Sequence, residues 1–177
     1  MKNKTALFIP IMYHASPNRA VEKSQPFPME YVKWHKALVN YFSTRKDYQI
    51  IWKGFLLPNQ KIDFIYELIT QKDYNNIKFE SGKPNRYFRK AEKIICDSPS
   101  SAFFECIFAN LPVLALYRPK DQKLRKNALN IFGSSLKPYN NIDEGIKHVD
   151  NYLNSESKDY IVHLETENIS VTNILDI

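Results

Sequence analysis

Short, continuously apolar runs alternate with segments of helical periodicity along almost the whole chain. Residues 5–13 (TALFIPIMY) read as a first strand, followed by a polar loop carrying Pro17, Pro26 and Pro28. Over 30–45, Tyr31, Trp34, Leu38 and Tyr41/Phe42 fall on one face at helical spacing. Tyr48 to Lys53 (YQIIWK) reads as a strand ended by Gly54, and Lys61 to Thr70 as a helix with Ile62, Ile65 and Ile69 together. Asn76 to Glu80 is a brief strand. Lys83 to Lys93 is a short helix with Pro84 in its first turn. Lys93 to Asp97 (KIICD) and Pro112 to Tyr117 (PVLALY) are buried strands, and the helix between them, Ser100 to Leu111, is apolar on nearly all sides. Residues 119–132 read as a basic helix stopped by Gly133, and Leu136 to Tyr139 as a short extended piece. Asn141 to Leu153 is a helix with Ile142, Ile146, Val149 and Leu153 inward and Asn141/Glu144 as a capping pair.

This βαβα alternation predicts a three-layer, Rossmann-like α/β domain: a mostly parallel sheet with helices on both faces. Runs such as IIC and VLAL are apolar throughout, as strands covered on both sides must be. No fixed-period repeat or linker divides the chain, so the expected organisation is one domain over 1–153 and a tail over 154–177 that docks on a partner domain. The 177 residues suffice for one such core. The first apolar stretch is short and interrupted by Pro10, which favours a strand over an export signal.

Composition narrows the chemistry. Apolar residues at 44% and aromatics at 14% argue against disorder. The two cysteines, Cys96 and Cys106, sit in apolar stretches and read as buried free thiols of a reducing cytosol. No cysteine or histidine spacing suggests a metal, and none is expected. The net charge of +6 suits a phosphate-bearing partner. The cations are scattered, however, which speaks for a general solvating surface and against a nucleic-acid footprint. The run Arg118 to Lys126 is either a solvated helix face or a contact for an acidic membrane or lipid-linked acceptor. His35, His148 and His163 are assigned to helix surfaces or the tail, and the Trp34/Tyr41/Phe42 cluster to the core.

In open parallel sheets ligands bind beyond the carboxyl ends of the strands. One such end stands out: Asp97-Ser98-Pro99-Ser100-Ser101 joins a buried strand to a buried helix. The first turn of a helix offers free N–H groups and a partial positive charge, and both attract phosphate. The plainer reading is that Ser98 or Ser100 only caps the helix. Glu105, in the second turn of that mostly apolar helix, is costly to bury unpaired. It either faces the cleft mouth, lies on a solvated strip, or pairs with Lys90 or Lys93.

The segment AEKIICDSPSSAFFECIFANLPVLAL resembles the nucleotide-binding half of GT-B glycosyltransferases. The shared pattern is a short helix, a strand ending in Asp, a serine-rich turn, a helix with a Glu, and a Pro-Val strand. It is most similar to the branch building bacterial surface polysaccharides, including CDP-glycerol glycerophosphotransferase-like proteins. The likeness is clear over residues 85–117 and fainter over 5–153. It implies a donor-binding domain that transfers a sugar or polyol phosphate from a nucleotide-activated donor to a surface-glycan or lipid-linked acceptor. It implies a substrate nucleotide and no cofactor. Arg19 and Lys53 match the positions that neutralise the donor diphosphate, Ser98, Ser100 and Ser101 those that cradle it, and Glu105 the one that holds donor hydroxyls. His14 is the candidate general base within the chain. In such enzymes the base generally comes from an N-terminal acceptor-binding half, so an acceptor domain or partner subunit is expected. The implied place is the cytoplasm, peripherally at the inner face of the membrane. The alternative is a non-catalytic donor-binding subunit. Many relatives carry His-Pro after the second strand's Lys, where this chain has Gly54-Phe55. A phosphotransferase or regulator on the same fold is the other rival, but the P-loop and GxGxxG signatures are absent.

Overall fold

A computed structural model describes residues 4–11, 28–54, 64–125 and 127–163. Six parallel strands form one sheet: β1 (Lys4–Ile9), β2 (Tyr48–Lys53), β3 (Ile77–Glu80), β4 (Lys93–Cys96), β5 (Val113–Tyr117) and β6 (Leu136–Pro138), in the order β3-β2-β1-β4-β5-β6. The helices among the described residues are α1 (Pro28–Thr44), α2 (Phe64–Lys72), α3 (Asn85–Phe88), α4 (Ser101–Phe108), α5 (Ala128–Phe132) and α6 (Ile142–Asn154). The expected three-layer Rossmann-like architecture is therefore the one observed.

Two apolar clusters cover the two faces of the sheet. On one side α1, α2 and α6 pack Leu38, Phe42, Ile65, Val149 and Tyr152 against Phe8, Trp52, Ile95 and Leu116. On the other, α4 and α5 pack Phe103, Cys106, Ile107 and Phe132 against Leu7, Ile94, Cys96 and Ala115. The chain changes face between β3 and β4. The strand order thus reverses direction at the neighbouring pair β1 and β4, where register joins Ile9 to Cys96. A crevice opens at such a switch point, because the connections leaving the two strands diverge to opposite faces.

Buried polar side chains tie down the element ends. The Asn76 carboxamide donates to the Phe42 and Arg45 carbonyls at 2.8 and 2.9 Å, meeting orphan acceptors at the end of α1. Asn141 caps α6 by accepting from Glu144 N at 2.9 Å, and the Glu144 carboxylate reaches back to Asn140 N at 2.8 Å. Lys93, buried at the start of β4, donates to Ser155 O at 2.9 Å just beyond α6. Past α6 the chain makes one 3-10 turn, Ser157–Tyr160, whose Tyr160 carbonyl accepts from Ser135.

Three expectations change. The first strand ends at Ile9, because Pro10 cannot donate to the ladder. Residues 119–125 are turns and coil, and among the described residues of the expected basic helix the helical ones are Ala128–Phe132. The stretch KDQKLRK offers one apolar side chain, so a helix there would have no face to bury. Leu136–Pro138 is a sixth, edge strand, where a proline is tolerated.

Cys96 and Cys106 are both buried and free. Burial pushes the Cys96 thiol well above its ordinary range and that of Cys106 up to about 12. Neither thiol should react with an aromatic disulfide reagent at pH 8 until the protein unfolds. Stopped-flow labelling in native buffer and in urea checks this: two thiols should titrate in urea, and fast native labelling would contradict the burial.

Candidate functional site

The carboxyl end of β4 organises the site. Asp97 N extends the ladder by donating to Ile9 O at 2.9 Å, and the chain then turns sharply, with Ser100 N bonded to Ser98 O at 2.8 Å. Ser100 occupies the N-cap of α4 in extended conformation (φ −91°, ψ 178°), and its carbonyl accepts from Phe103 N. Its side chain makes no capping bond. Ser98 is buried, Ser100 half-buried and Ser101 exposed. Glu105 is exposed too, four residues after Ser101 and so one turn along the same face. No ion pair to Lys90 or Lys93 is present among the described residues, and Lys93 is committed to Ser155.

Lys53 ends β2. Alternation along the strand sends Trp52 into the α1 side and Lys53 to the opposite face, the one that α4 covers. The lysine is fully buried, and its ammonium donates to the Gly54 carbonyl. Burial lowers its pKa. Gly54 follows because the Phe79 ring of β3 lies directly over its Cα, where a side chain would stand. His14 and Arg19 lie outside the described residues.

The other side of the same strand ends holds a small open pocket. Its wall includes Tyr31 and Trp34 of α1, Asp97, Arg118 and Gln122 after β5, and Tyr139 after β6. Asp97 is nearly enclosed, with a side chain only 2% exposed. Trp34 Nε1 donates to its Oδ1 at 2.6 Å, and His35 Nε2 lies 2.6 Å from its Oδ2. A carboxylate can only accept, so Nε2 carries the proton of that bond. His35 is itself fully buried, boxed in by the rings of Phe8, Tyr31 and Trp52, and its Nδ1 meets no partner among the described residues. Trp34 stacks on Tyr139 with centroids 4.8 Å apart. α6 comes close enough beneath that stack for a Cβ on Gly145 to stand 2.7 Å from the indole.

Ion pairs fix the rim. Arg118 Nη2 meets Glu30 at 2.5 Å, Lys120 meets the same carboxylate at 3.0 Å, and Arg118 Nε lies 3.1 Å from Asp121 Oδ2. The Arg118 hydrogen bond, then that of Lys120, holds the Glu30 carboxyl below its usual range. The Tyr31 hydroxyl donates to Ile11 O at 2.9 Å, pinning α1 to the exit of β1.

The structure brings Ser98, Ser100, Ser101 and Glu105 together at one helix start, and sets Lys53 on the same face of the sheet. It corrects the placement of His35, which is in the core and bonded to Asp97. His163 is exposed, and His148 is half-buried. Trp34 and Phe42 belong to the core as expected. The signal for His35 was present: His35, Leu38, Val39 and Phe42 recur at i, i+3, i+4 and i+7. Its partner could not be read, because Asp97 is 62 residues away.

A family model for LIC12162 family transferases matches residues 1–134. The chain belongs to that family of transferases. The fold is similar to that of a solved structure described as the glycotransferase of kitacinnamycin, with a TM-score of 0.52 and 10% identity. The alignment covers 86% of this chain and 35% of that one, and at this identity it speaks for the fold alone. A search of the curated proteins gives no match. Among the described residues no helix is long and apolar enough to cross a membrane, and no group of three His, Cys, Asp or Glu is placed to hold a metal.

Proposed function

We propose that this LIC12162 family transferase is a GT-B-type donor-binding domain. It takes a nucleotide-activated sugar or polyol and serves its transfer to a surface-glycan or lipid-linked acceptor. The observation that carries the reading is the β4–α4 turn. At the switch point of a parallel sheet, an uncommitted Ser100 hydroxyl and the exposed Ser101 open a helix whose next turn presents Glu105. Membership of a transferase family supports the class of reaction, and the fold likeness supports the architecture.

The chemistry follows from charge. When the bond to the transferred group breaks, the nucleoside diphosphate gains negative charge. Backbone N–H groups and the dipole of α4, fixed in place beforehand, stabilise that charge without reorganising. Ser98, Ser100 and Ser101 supply the cradle, and Lys53 and Arg19 the positive field. Glu105 accepts hydroxyls of the donor ribose or sugar. The acceptor hydroxyl needs a base; His14 is the candidate in this chain, and an acceptor-binding domain or partner subunit is the other source. This reading requires no metal or cofactor and places the protein in the cytoplasm at the inner face of the membrane.

Calorimetry with UDP, GDP, CDP and CMP tests the site. One nucleotide should bind, and Ser101→Ala or Glu105→Ala should weaken it about tenfold, the scale of one charge-assisted hydrogen bond. No binding by any of the four, or variants that bind like the wild type, would refute the assignment.

A further inference from the structure

The pocket on the α1 side is chemically unlike the serine turn. We infer that it is a subsite for a neutral polyhydroxylated group, with Asp97 and Gln122 reading its hydroxyls beside the apolar Trp34/Tyr139 pair. The inference rests on the donor-binding reading for the rest of the substrate, but not for the pocket's own chemistry.

Three carboxylates face or rim this space, Asp97, Glu30 and Asp121, against two cations, Arg118 and Lys120. Both cations are already engaged: Glu30 takes Arg118 and Lys120, and Asp121 stands beside the Arg118 Nε. A phosphate entering here would meet the Asp97 carboxylate before it met an uncommitted cation. A free ammonium would meet the two cations at the rim. A group that donates hydrogen bonds without net charge suits both conditions.

Acceptor capacity is in surplus. Asp97 spends one lone pair of each oxygen on Trp34 and His35, leaving others for a ligand. Asp121 Oδ2 is buried and makes no aligned hydrogen bond among the described residues, its contact with Arg118 being an ion pair only. An incoming hydroxyl would donate to the remaining lone pair of that oxygen. Trp34 and Tyr139, stacked on each other, give the pocket an apolar side beside those acceptors. Asp97 is three residues before Ser100, so one loop joins this pocket to the phosphate-binding turn.

His35 and Trp34 act here as positioning residues. Each holds one oxygen of Asp97, so the carboxylate cannot rotate when a ligand arrives.

The group has two sources, the transferred part of the donor or a glycan acceptor, and two sets of probes separate them. The first set is UDP, GDP and CDP beside UDP-glucose, GDP-mannose and CDP-glycerol, measured by calorimetry. The second is free methyl glycosides and glycerol, followed by saturation-transfer NMR and by tryptophan fluorescence. The full chain carries Asp97→Asn or, on the loop where folding is not at stake, Gln122→Ala; thermal melting confirms that each is folded. If the donor fills the pocket, both variants bind the sugar or glycerol conjugate about tenfold more weakly and the bare diphosphate within twofold of wild type. If the acceptor fills it, the variants lose the free glycoside signal instead. Equal losses for conjugate and bare diphosphate, or no selective loss in either set, overturn the subsite. Failure of every nucleotide to bind would remove the donor-binding reading, and the free glycosides would still decide the pocket.

Discussion

Replacing His35 by leucine should lower the unfolding free energy by about 3–5 kcal/mol, the usual cost of removing one partner from a buried polar pair. The reason is the Asp97 side chain. It is almost fully buried, and the His35 Nε2–H is the donor to one of its two oxygens. Leucine is close to histidine in volume, so the loss reports the stranded carboxylate more than a cavity. Urea denaturation checks it: the midpoint should fall with little change in slope. The double replacement His35→Leu with Asp97→Leu should recover part of the loss, since no unpaired carboxylate then remains. A single-variant loss under about 1 kcal/mol, the level of an exposed pair, would show that the contact contributes little. The same variant should also disturb the pocket, because His35 and Trp34 together fix the acceptor that lines it.

Gly54→Ala should destabilise by roughly 1–3 kcal/mol, at the upper end for overpacking in a core. A Cβ there would lie 1.7 Å from the tip of the Phe79 ring and within 2.6 Å of its flanking atoms. The backbone offers no easy relief, because Gly54 N donates to Glu80 O at 2.9 Å and so holds β2 to β3. The ring must move, and it is packed against Tyr66 of α2 with centroids 5.1 Å apart. Adding Phe79→Leu to Gly54→Ala should restore most of the midpoint, since the obstructing ring is then gone. Thermal melting of the two variants and their combination settles it; an unchanged Gly54→Ala protein would mean that the ring swings aside freely. Because Lys53 precedes Gly54, the substitution should also disturb the lysine whose ammonium bonds to the Gly54 carbonyl.

The candidate site divides along the same line as the fold. The serine turn and Glu105 were legible because their chemistry is local: a buried strand, a polar turn and a helix start follow one another within a dozen residues. The pocket was not, since its walls come from α1 and from the ends of β1, β4, β5 and β6. Arg118 illustrates the difference. In sequence it opens a basic run, whereas in the structure it is neutralised by Glu30 from 88 residues away.

The sequence by itself determined the layered parallel sheet, the buried thiols of Cys96 and Cys106, and the strand-turn-helix at 93–108. Each follows from periodicity or from neighbours in the chain, and burial of an apolar face admits few ways to satisfy such a pattern. The tertiary structure decided that His35 is a core partner of Asp97, that Lys93 binds the Ser155 carbonyl just beyond α6, that residues 119–125 stay unwound, and that an acid-lined pocket sits beside the serine-rich turn. Those outcomes depend on which distant polar groups meet when the faces close. A buried charge or amide accepts whatever partner the packing brings, and that choice leaves no period in the sequence.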